Sequence, residues 1–266
     1  MQIGDCVRIK GDCSNCIYKI IDKLFEQGET FEIKGVYYRI SRFEKEDNLI
    51  KVTDDELKMA EKIELNLKQK LFGNKERNLN KKYLLGTVLH IDGDEDYLKK
   101  CIELYDEIGI YSYGKCLKES DIYLNIGNYL LETNPDIVVV TGHDIYNNKE
   151  KKDLNNYSNT KNFVKAVKEI RKVKNDSCVV IAGACQSNFE ALIASGADFA
   201  SSPGRINIHT FDPAIIAINV ATTSFDKKVN QSDLFKYIEN GKEAFGGLQT
   251  YGKMRLLLWW WKATQN

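Results

Sequence analysis

Short apolar runs, separated by turns that contain Gly or Asp, occupy the first part of the chain. They cover residues 3–9, 16–21, 31–34 and 36–40, and β-branched and aromatic side chains are frequent in them. Runs of this kind, bounded by turn residues, are typical of β-strands. The pattern predicts a small, β-barrel-like domain over residues 1–52.

A helical pattern begins at residue 53. Thr53 and Glu56 have the spacing of a capping box, which starts many helices. Apolar residues then recur on one helix face, at Leu57, Ala60, Ile63, Leu67 and Leu71. Residues 73–82 are polar and rich in Asn and Lys, so they predict a surface loop. Residues 53–82 are therefore expected to form a connecting helix and loop.

Strand-like and helix-like segments alternate over residues 83–266. Strands are predicted at 85–91, 109–113, 137–141, 178–182 and 197–201, and helices at 97–108, 119–132, 160–173, 187–195 and from about 213. Runs 137–141 and 178–182 lack polar alternation, as expected for strands that are buried on both faces. The alternation predicts an α/β fold, with a parallel sheet flanked by helices.

Composition and charge narrow the classes of partner. The chain has 266 residues, 43% hydrophobic and 29% charged, which is enough to build a core without disulfides. Lys and Arg (38) balance Asp and Glu (38), so we predict no nucleic-acid partner and no membrane partner. No apolar run approaches ~20 residues, and the first residues do not resemble a secretory signal. The seven Cys are expected to be reduced thiols in the cytoplasm.

One His and one Cys follow the two buried runs directly. In a parallel α/β sheet, catalytic groups gather at the carboxyl ends of the strands. If the two strands are neighbours, His143 and Cys185 emerge at the same edge of the sheet. Cys185 would be the nucleophile, favoured as a thiolate by the amino end of the next helix. His143 would accept the thiol proton and return one to the leaving amine.

Small residues beside this pair would let backbone N–H groups approach a substrate. Gly142 and Gly183 are the positions that favour such an oxyanion site. The alternatives stay open: Cys185 can be a buried apolar residue, and His143 a hydrogen-bonded structural one. His209, which follows another short apolar run, is a rival base.

Other motifs carry weaker signals. The single CxxC of Cys13 and Cys16 has no second pair, so we predict no metal site and no cofactor. Residues 92–94 predict a turn and a helix cap, because the glycine-rich phosphate motifs are absent. His90 is predicted to be a core residue, and the Trp run at 259–261 to pack against the domain.

Several blocks of sequence together resemble the sporulation-specific YabG-type cysteine peptidases. They are GDCVRIK and EIKGVYYRI near the start, the segment GTVLHIDGDEDYLKKCIELYDEIGIYSYG (86–114), PDIVVVTGHD (135–144), VVIAGACQSNFEALIASGADFASSP (179–203) and IHTFDP (208–213). The resemblance implies an endopeptidase that trims spore coat and cortex-associated proteins, cleaves after Arg and processes itself. It places the catalytic Cys on Cys185 and the catalytic His on His143. It also implies a location in the mother-cell cytoplasm and at the forming spore coat.

A wider resemblance links the chain to caspase-like peptidases, which implies a three-layer arrangement. In those proteins one hydrophobic block precedes His-Gly and another precedes Ala-Cys. Ala184 and Cys185 fit this pattern, whereas Gly142 precedes His143 and Asp144 follows it. An oxyanion N–H would then come from Asp144.

Recognition of a substrate Arg needs a carboxylate in the pocket. No acidic residue stands immediately before Cys185, so the candidates are Asp212, Asp198 and Asp144. Asp212 ranks first because Pro213 would stiffen its loop. The alternative for Asp212 is a cap on the helix that begins there.

Two other functions remain open at this stage. A glutamine amidotransferase-like amidase also uses a Cys after a strand, but residues 183–187 lack the second Gly of its usual Gly-x-Cys-x-Gly turn. A non-enzymatic spore coat scaffold would use the N-terminal β-domain for docking. The sequence does not indicate the oligomeric state.

Overall fold

The computed structural model describes residues 1–12, 16–24, 30–73 and 83–256. Cys13 of the CxxC motif, most of the predicted surface loop and the Trp run lie outside the described residues.

An antiparallel sheet of five strands forms the N-terminal part. Its strands are β1 (Cys6–Ile9), β2 (Tyr18–Leu24), β3 (Thr30–Gly35), β4 (Ser41–Lys45) and β5 (Leu49–Lys51), in the order β4-β3-β2-β1-β5. Phe31 and Ile33 alternate with less buried residues on β3, and both belong to the core of this sheet. The predicted N-terminal β-structure is confirmed as a sheet, and its closure into a barrel stays a prediction.

The strand predicted over residues 36–40 is wrong. These residues leave the sheet after β3 and pair with a distant segment of the chain. Tyr38 forms an isolated antiparallel bridge with His209, and the N–H of Arg39 donates to the carbonyl of Ile208 at 3.2 Å. The segment also packs on the N-terminal sheet, because Ile40 belongs to the core of that sheet and Tyr38 packs against it. Its apolar residues therefore lie between the two parts of the fold.

Helix α1 (Asp54–Gly73) follows the N-terminal sheet. The predicted capping box is confirmed, because the N–H of Thr53 donates to Glu56 Oε2 at 2.9 Å and the N–H of Glu56 donates to Thr53 Oγ1 at 3.3 Å. Leu71 near its end is fully buried in the core of the α/β part. The helix therefore packs against the larger sheet.

A six-stranded sheet forms the centre of the α/β part. Its strands are β7 (Val88–Asp92), β8 (Ser112–Cys116), β9 (Ile137–Thr141), β10 (Val179–Ala182), β11 (Phe199–Ser201) and β12 (Phe245–Gly247), in the order β12-β11-β10-β9-β7-β8. All pairings are parallel except that of the edge strand β12 with β11. β6 (Tyr83–Leu84) and β13 (Arg255–Leu256) pair separately.

Helices cover both faces of this sheet. One core joins Val139 and Ile181 to α2 (Glu95–Ile108) and α6 (Asp212–Thr222). The other core joins Val138 and Val180 to α3 (Glu119–Thr133), α4 (Thr160–Lys174) and α5 (Phe189–Ala194). Two short helices, α7 (Gln231–Leu234) and α8 (Gly241–Ala244), precede β12.

The predicted α/β sheet flanked by helices is thus confirmed, whereas its caspase-like character stays a prediction. Within the described part of the chain, no helix has the length and apolar character needed to cross a membrane.

Candidate active site

The loops that follow β9 and β10 form the candidate active site. The two strands are parallel neighbours, with Ala182 opposite Val140 at their carboxyl ends. His143 and Cys185 follow these ends, and both line one cavity of about 370 Å³. The predicted neighbouring of the two strands is confirmed, and it brings the two side chains to one site.

Residues 39–42 form the third wall of this cavity. They follow β3, so the N-terminal sheet supplies part of the site. Arg39 and Arg42 lie in this wall, and Asn207 completes the lining. The Arg39 side chain itself is fully buried and pairs with Asp92.

The Cys185 side chain is 2% exposed. Its Sγ accepts a hydrogen bond from the N–H of Ile208 at 3.2 Å. Burial raises the pKa of the thiol to about 12. This direction is opposite to the lowering predicted from the sequence, because α5 has only six residues and begins later, at Phe189. In this arrangement the thiol is protonated at neutral pH.

The His143 ring is held by a carboxylate from the loop after β7. Its Nε2 lies 3.0 Å from Asp94 Oδ2, and its backbone N–H donates to Glu119 Oε1 at 2.7 Å. The ring of Tyr97 lies beside it, with centroids 5.9 Å apart. These contacts orient the imidazole. Nδ1 is the ring nitrogen that does not face Asp94.

Asp94 also caps α2, as the sequence predicts for residues 92–94. Its Oδ1 accepts from the N–H groups of Asp96 and Tyr97 and from Lys34 Nζ at 2.7 Å. Burial alone would raise the pKa of Asp94, but the hydrogen bonds from His143 and Lys34 outweigh it and hold the pKa well below its usual range. The sequence contains no signal for the contact with His143.

The Asp144 carboxylate connects the loops around the cavity. It accepts hydrogen bonds from the N–H groups of Ile145 and Asn159 and from the hydroxyls of Thr160 and Ser187. Burial raises the pKa of Asp144 above its usual range, although these bonds oppose the shift. The carboxylate is thus a structural link between the loop after β9, the start of α4 and the loop after β10.

Backbone N–H groups on the loops after β9 and β10 are free at the cavity. Within the described residues, the N–H groups of Asp144 and Cys185 have no hydrogen-bond acceptor. Both residues line the cavity. By contrast, the N–H of Gly183 donates to the carbonyl of Val140 at 3.0 Å.

Gly183 and Gly142 allow close approach of other groups. Gly183 has a φ of +106°, and a Cβ there would clash with Ser201 Oγ. A Cβ on Gly142 would meet the carboxylate of Glu119, which holds the backbone of His143. Both glycines therefore shape the loops that carry the catalytic candidates.

Gln186 is a site residue that the sequence did not indicate. It has a φ of +59°, which is uncommon for a residue with a side chain. Its Oε1 accepts from the N–H of Tyr146 at 3.1 Å, and its Nε2 donates to Asn207 Oδ1 at 3.2 Å. The side chain stabilises the strained turn directly after Cys185.

His209 lines a separate cavity of about 440 Å³. Tyr37, Tyr38, Glu64 and Glu239 also contribute to its walls. The Nδ1 of His209 accepts from the N–H of Phe211 at 3.2 Å, and burial lowers the pKa of His209 to about 3. The structure thus places the rival base outside the cavity of Cys185.

The carboxylates predicted to bind substrate lie apart from one another. Asp212 is fully buried at the start of α6, where its Oδ2 accepts from the N–H of His209 at 2.8 Å. Asp198 precedes β11, so it lies at the amino end of this strand, whereas Cys185 follows the carboxyl end of β10. Asp198 pairs with Arg171 at 2.7 Å. Asp144 alone lines the cavity with Cys185.

The remaining motifs are structural in the described residues. His90 is a core residue as predicted, with Nδ1 at 2.9 Å from the hydroxyl of Tyr105. No group of three His, Cys, Asp or Glu side chains that could hold a metal ion occurs in the described ranges.

The chain is similar in sequence to known peptidases. The chain is 42% identical, over 178 residues, to the sporulation-specific protease YabG of Bacillus subtilis (strain 168). This match covers 65% of the chain and 61% of the relative, which is less than two thirds of the relative's length. No solved structure matches the chain. The model of the YabG peptidase U57 family matches residues 2–258, so the chain belongs to this family.

Proposed function

We propose that this chain is a cysteine endopeptidase of sporulation, with Cys185 as nucleophile and His143 as general base. The placement of both side chains at one cavity, on loops after adjacent parallel strands, carries this proposal. Membership of a peptidase family and similarity to a sporulation-specific protease support the reaction class and the process.

The reaction begins with transfer of the Cys185 proton to His143. The ring nitrogen Nε2 faces Asp94, so Nδ1 is the nitrogen that accepts this proton. Burial raises the pKa of the thiol, although the hydrogen bond from the N–H of Ile208 opposes this shift. The thiol therefore becomes a thiolate only as it attacks the carbonyl carbon of a bound peptide.

The tetrahedral intermediate places negative charge on the former carbonyl oxygen. The free N–H groups of Cys185 and Asp144 are the donors proposed to stabilise it. His143 then gives its proton to the leaving amine, and the C–N bond breaks to leave a thioester on Cys185. Water, deprotonated by His143, hydrolyses the thioester and restores the thiol.

The proposal includes cleavage after Arg, action on spore coat and cortex-associated proteins, and self-processing. These features are drawn from the resemblance in sequence. The enzyme would then act in the mother cell and at the forming spore coat.

A peptide-cleavage assay tests the proposal. Wild type should cleave Arg-containing peptides, and Cys185→Ala should abolish turnover while thermal unfolding changes little. Cys178→Ala is the matched control, because Cys178 is equally buried at 2% exposure but does not line the cavity. Turnover retained by Cys185→Ala would overturn the assignment of the nucleophile.

A further inference from the structure

Three side chains form a chain of contacts from the N-terminal sheet to the candidate base. Lys34 on β3 lies 2.7 Å from Asp94 Oδ1, and Asp94 Oδ2 lies 3.0 Å from His143 Nε2. The side chains of Lys34 and Asp94 are only 15% and 10% exposed. Low exposure strengthens both contacts, because water competes with them less.

We propose that Asp94 is a positioning residue for His143, and that Lys34 holds Asp94, so that the N-terminal sheet completes the active site. The inference rests on the proposed role of His143 as general base. A carboxylate on Nε2 favours the tautomer with a proton there and a lone pair on Nδ1. This is the tautomer that accepts a thiol proton.

Helix capping does not account for Asp94. Its Oδ1 alone accepts the N–H groups of the first turn of α2, whereas Oδ2 faces His143. Ser or Asn caps a helix about as well as Asp. Capping alone therefore does not require a carboxylate at position 94, and the second oxygen of Asp94 is available to orient the imidazole of His143.

Other charges around the ring act from the remaining sides. Glu119 of α3 accepts the backbone N–H of His143, and the buried Asp144 follows it in the chain. Arg39, Arg42 and Cys185 line the cavity that His143 faces, and Tyr97 contacts the ring. Asp94 is the carboxylate in hydrogen-bond contact with the imidazole among the described residues.

Nuclear magnetic resonance on the full chain tests the contact without relying on activity. The chain has three His, so the imidazole ¹⁵N spectrum should contain three sets of ring signals. His143→Gln should remove one set and so assign it. In wild type the neutral His143 ring should be mainly the tautomer with its proton on Nε2, the nitrogen that faces Asp94. Asp94→Asn and Asp94→Ser both keep a capping oxygen, and each should shift the His143 signals towards a mixture of the two tautomers.

Asp96→Asn is the matched control. Asp96 also pairs with Lys34 at 2.6 Å, but its side chain is 78% exposed and has no contact with His143. The His143 ring signals should be unchanged in this variant. Unchanged His143 ring signals in Asp94→Asn as well would overturn the proposal.

Peptide cleavage adds a second readout. Asp94→Asn should lower kcat by at least about tenfold, which is part of the ~10²–10⁴-fold that general-base catalysis supplies, with little change in KM. Lys34→Met should lower kcat by less, and Lys34→Arg should restore it. Wild type without Cys185-dependent cleavage would contradict the proposed function alone. Full kcat in both Asp94 variants of an active enzyme would contradict the positioning role alone.

Discussion

Arg39 Nη1 lies 2.5 Å from Asp92 Oδ2, and neither side chain is exposed to solvent. Arg39 comes from the segment after β3, and Asp92 ends β7. The same guanidinium donates twice to the carbonyl of Thr210, at 3.2 and 3.1 Å. One buried side chain therefore connects the segment after the N-terminal β3 with the central sheet and with Thr210. Thr210 lies two residues after Ile208, which contacts Cys185.

Breaking this ion pair should destabilise the whole fold. Arg39→Met leaves the Asp92 charge buried without its partner, so the free energy of unfolding should fall by about 3–5 kcal/mol. Adding Asp92→Asn to that variant should recover part of the loss, because it removes the unpaired charge. Urea unfolding followed by circular dichroism measures both changes.

An exposed ion pair in the N-terminal part provides the control. Lys51 pairs with Asp5 at 2.8 Å, but its side chain is 65% exposed. Lys51→Met should change the free energy of unfolding by less than about 1 kcal/mol. Equal losses in Lys51→Met and Arg39→Met would show that the buried pair contributes no more than a surface one.

Replacing His143 should reduce peptide cleavage far more than replacing His209. General acid–base catalysis contributes typically ~10²–10⁴-fold, so His143→Ala should lower kcat within that range. His209→Ala should have a smaller effect, because His209 lines the other cavity. Steady-state kinetics on folded variants measures the difference. A larger loss in His209→Ala would make His209 the base.

The structure also predicts the order in which thiols react. Iodoacetamide at neutral pH should label the exposed Cys116 before Cys185, because Cys185 is buried and burial raises its pKa to about 12. A peptidyl chloromethyl ketone ending in Arg should reverse this order, since it binds at the cavity beside His143. Peptide mapping by mass spectrometry identifies the labelled residue. Faster iodoacetamide labelling at Cys185 would mean that a thiolate is already present in the free enzyme.

The placement of His143 and Cys185 at one cavity was predictable, because each follows an apolar run and parallel strands bring such ends together. The contacts of Asp94 were only half predictable. Its capping bonds are local, whereas its contact with His143 spans 49 residues and requires β7 and β9 to be neighbours. The lengths and positions of the apolar runs in the sequence do not indicate which strands are neighbours in the sheet.

At two places the observed secondary structure differs from the sequence prediction for similar reasons. The edge strand β12 (Phe245–Gly247) was not predicted, because two of its three residues are Gly, which gives little strand signal. Residues 36–40 have a strand-like pattern, but their backbone pairs with the segment around His209. In both places a tertiary contact outweighs the local pattern.

Acid should destabilise the fold partly through His209. Burial lowers its pKa from 6.5 to about 3, so below about pH 6.5 the unfolded chain binds a proton that the folded chain does not. Stability therefore falls as the pH decreases towards 3, by up to about 1.4 kcal/mol per pH unit. His90 acts in the same direction, because burial also lowers its pKa.

The variant His209→Gln isolates this contribution. Between about pH 5 and pH 6, the free energy of unfolding of this variant should depend less steeply on pH than that of wild type. The difference in slope should correspond to about one bound proton. Urea titrations at several pH values measure the slope. Identical slopes would show that His209 remains protonated in the folded state.

Preference for Arg before the cleaved bond is expected from the sequence resemblance, and the structure limits where the Arg side chain can bind. The Asp144 carboxylate at the cavity of Cys185 already accepts four hydrogen bonds. Because a carboxylate offers about four acceptor sites, Asp144 is not available to a substrate guanidinium. The carboxylates that it could reach must lie in another wall.

The cavity at His209 offers such a wall. His209 directly follows Ile208, whose N–H contacts Cys185, and Glu239 lines this second cavity. Asp212 lies beneath His209, fully buried, and burial raises its pKa well above the usual range. Glu239 lines this cavity, whereas Asp212 does not, so Glu239 is better placed to meet a guanidinium.

Peptides with Arg, Lys, Leu or Asp before the scissile bond separate the two carboxylates. Wild type should cleave the Arg peptide fastest, because a planar guanidinium pairs with a carboxylate through two hydrogen bonds. Glu239→Gln should reduce the kcat/KM for Arg about 10- to 100-fold, the contribution of a charged hydrogen bond, while Asp212→Asn should retain the preference. Loss of the preference in Asp212→Asn alone would place the pocket at Asp212, and equal cleavage of all four peptides by wild type would contradict Arg recognition itself.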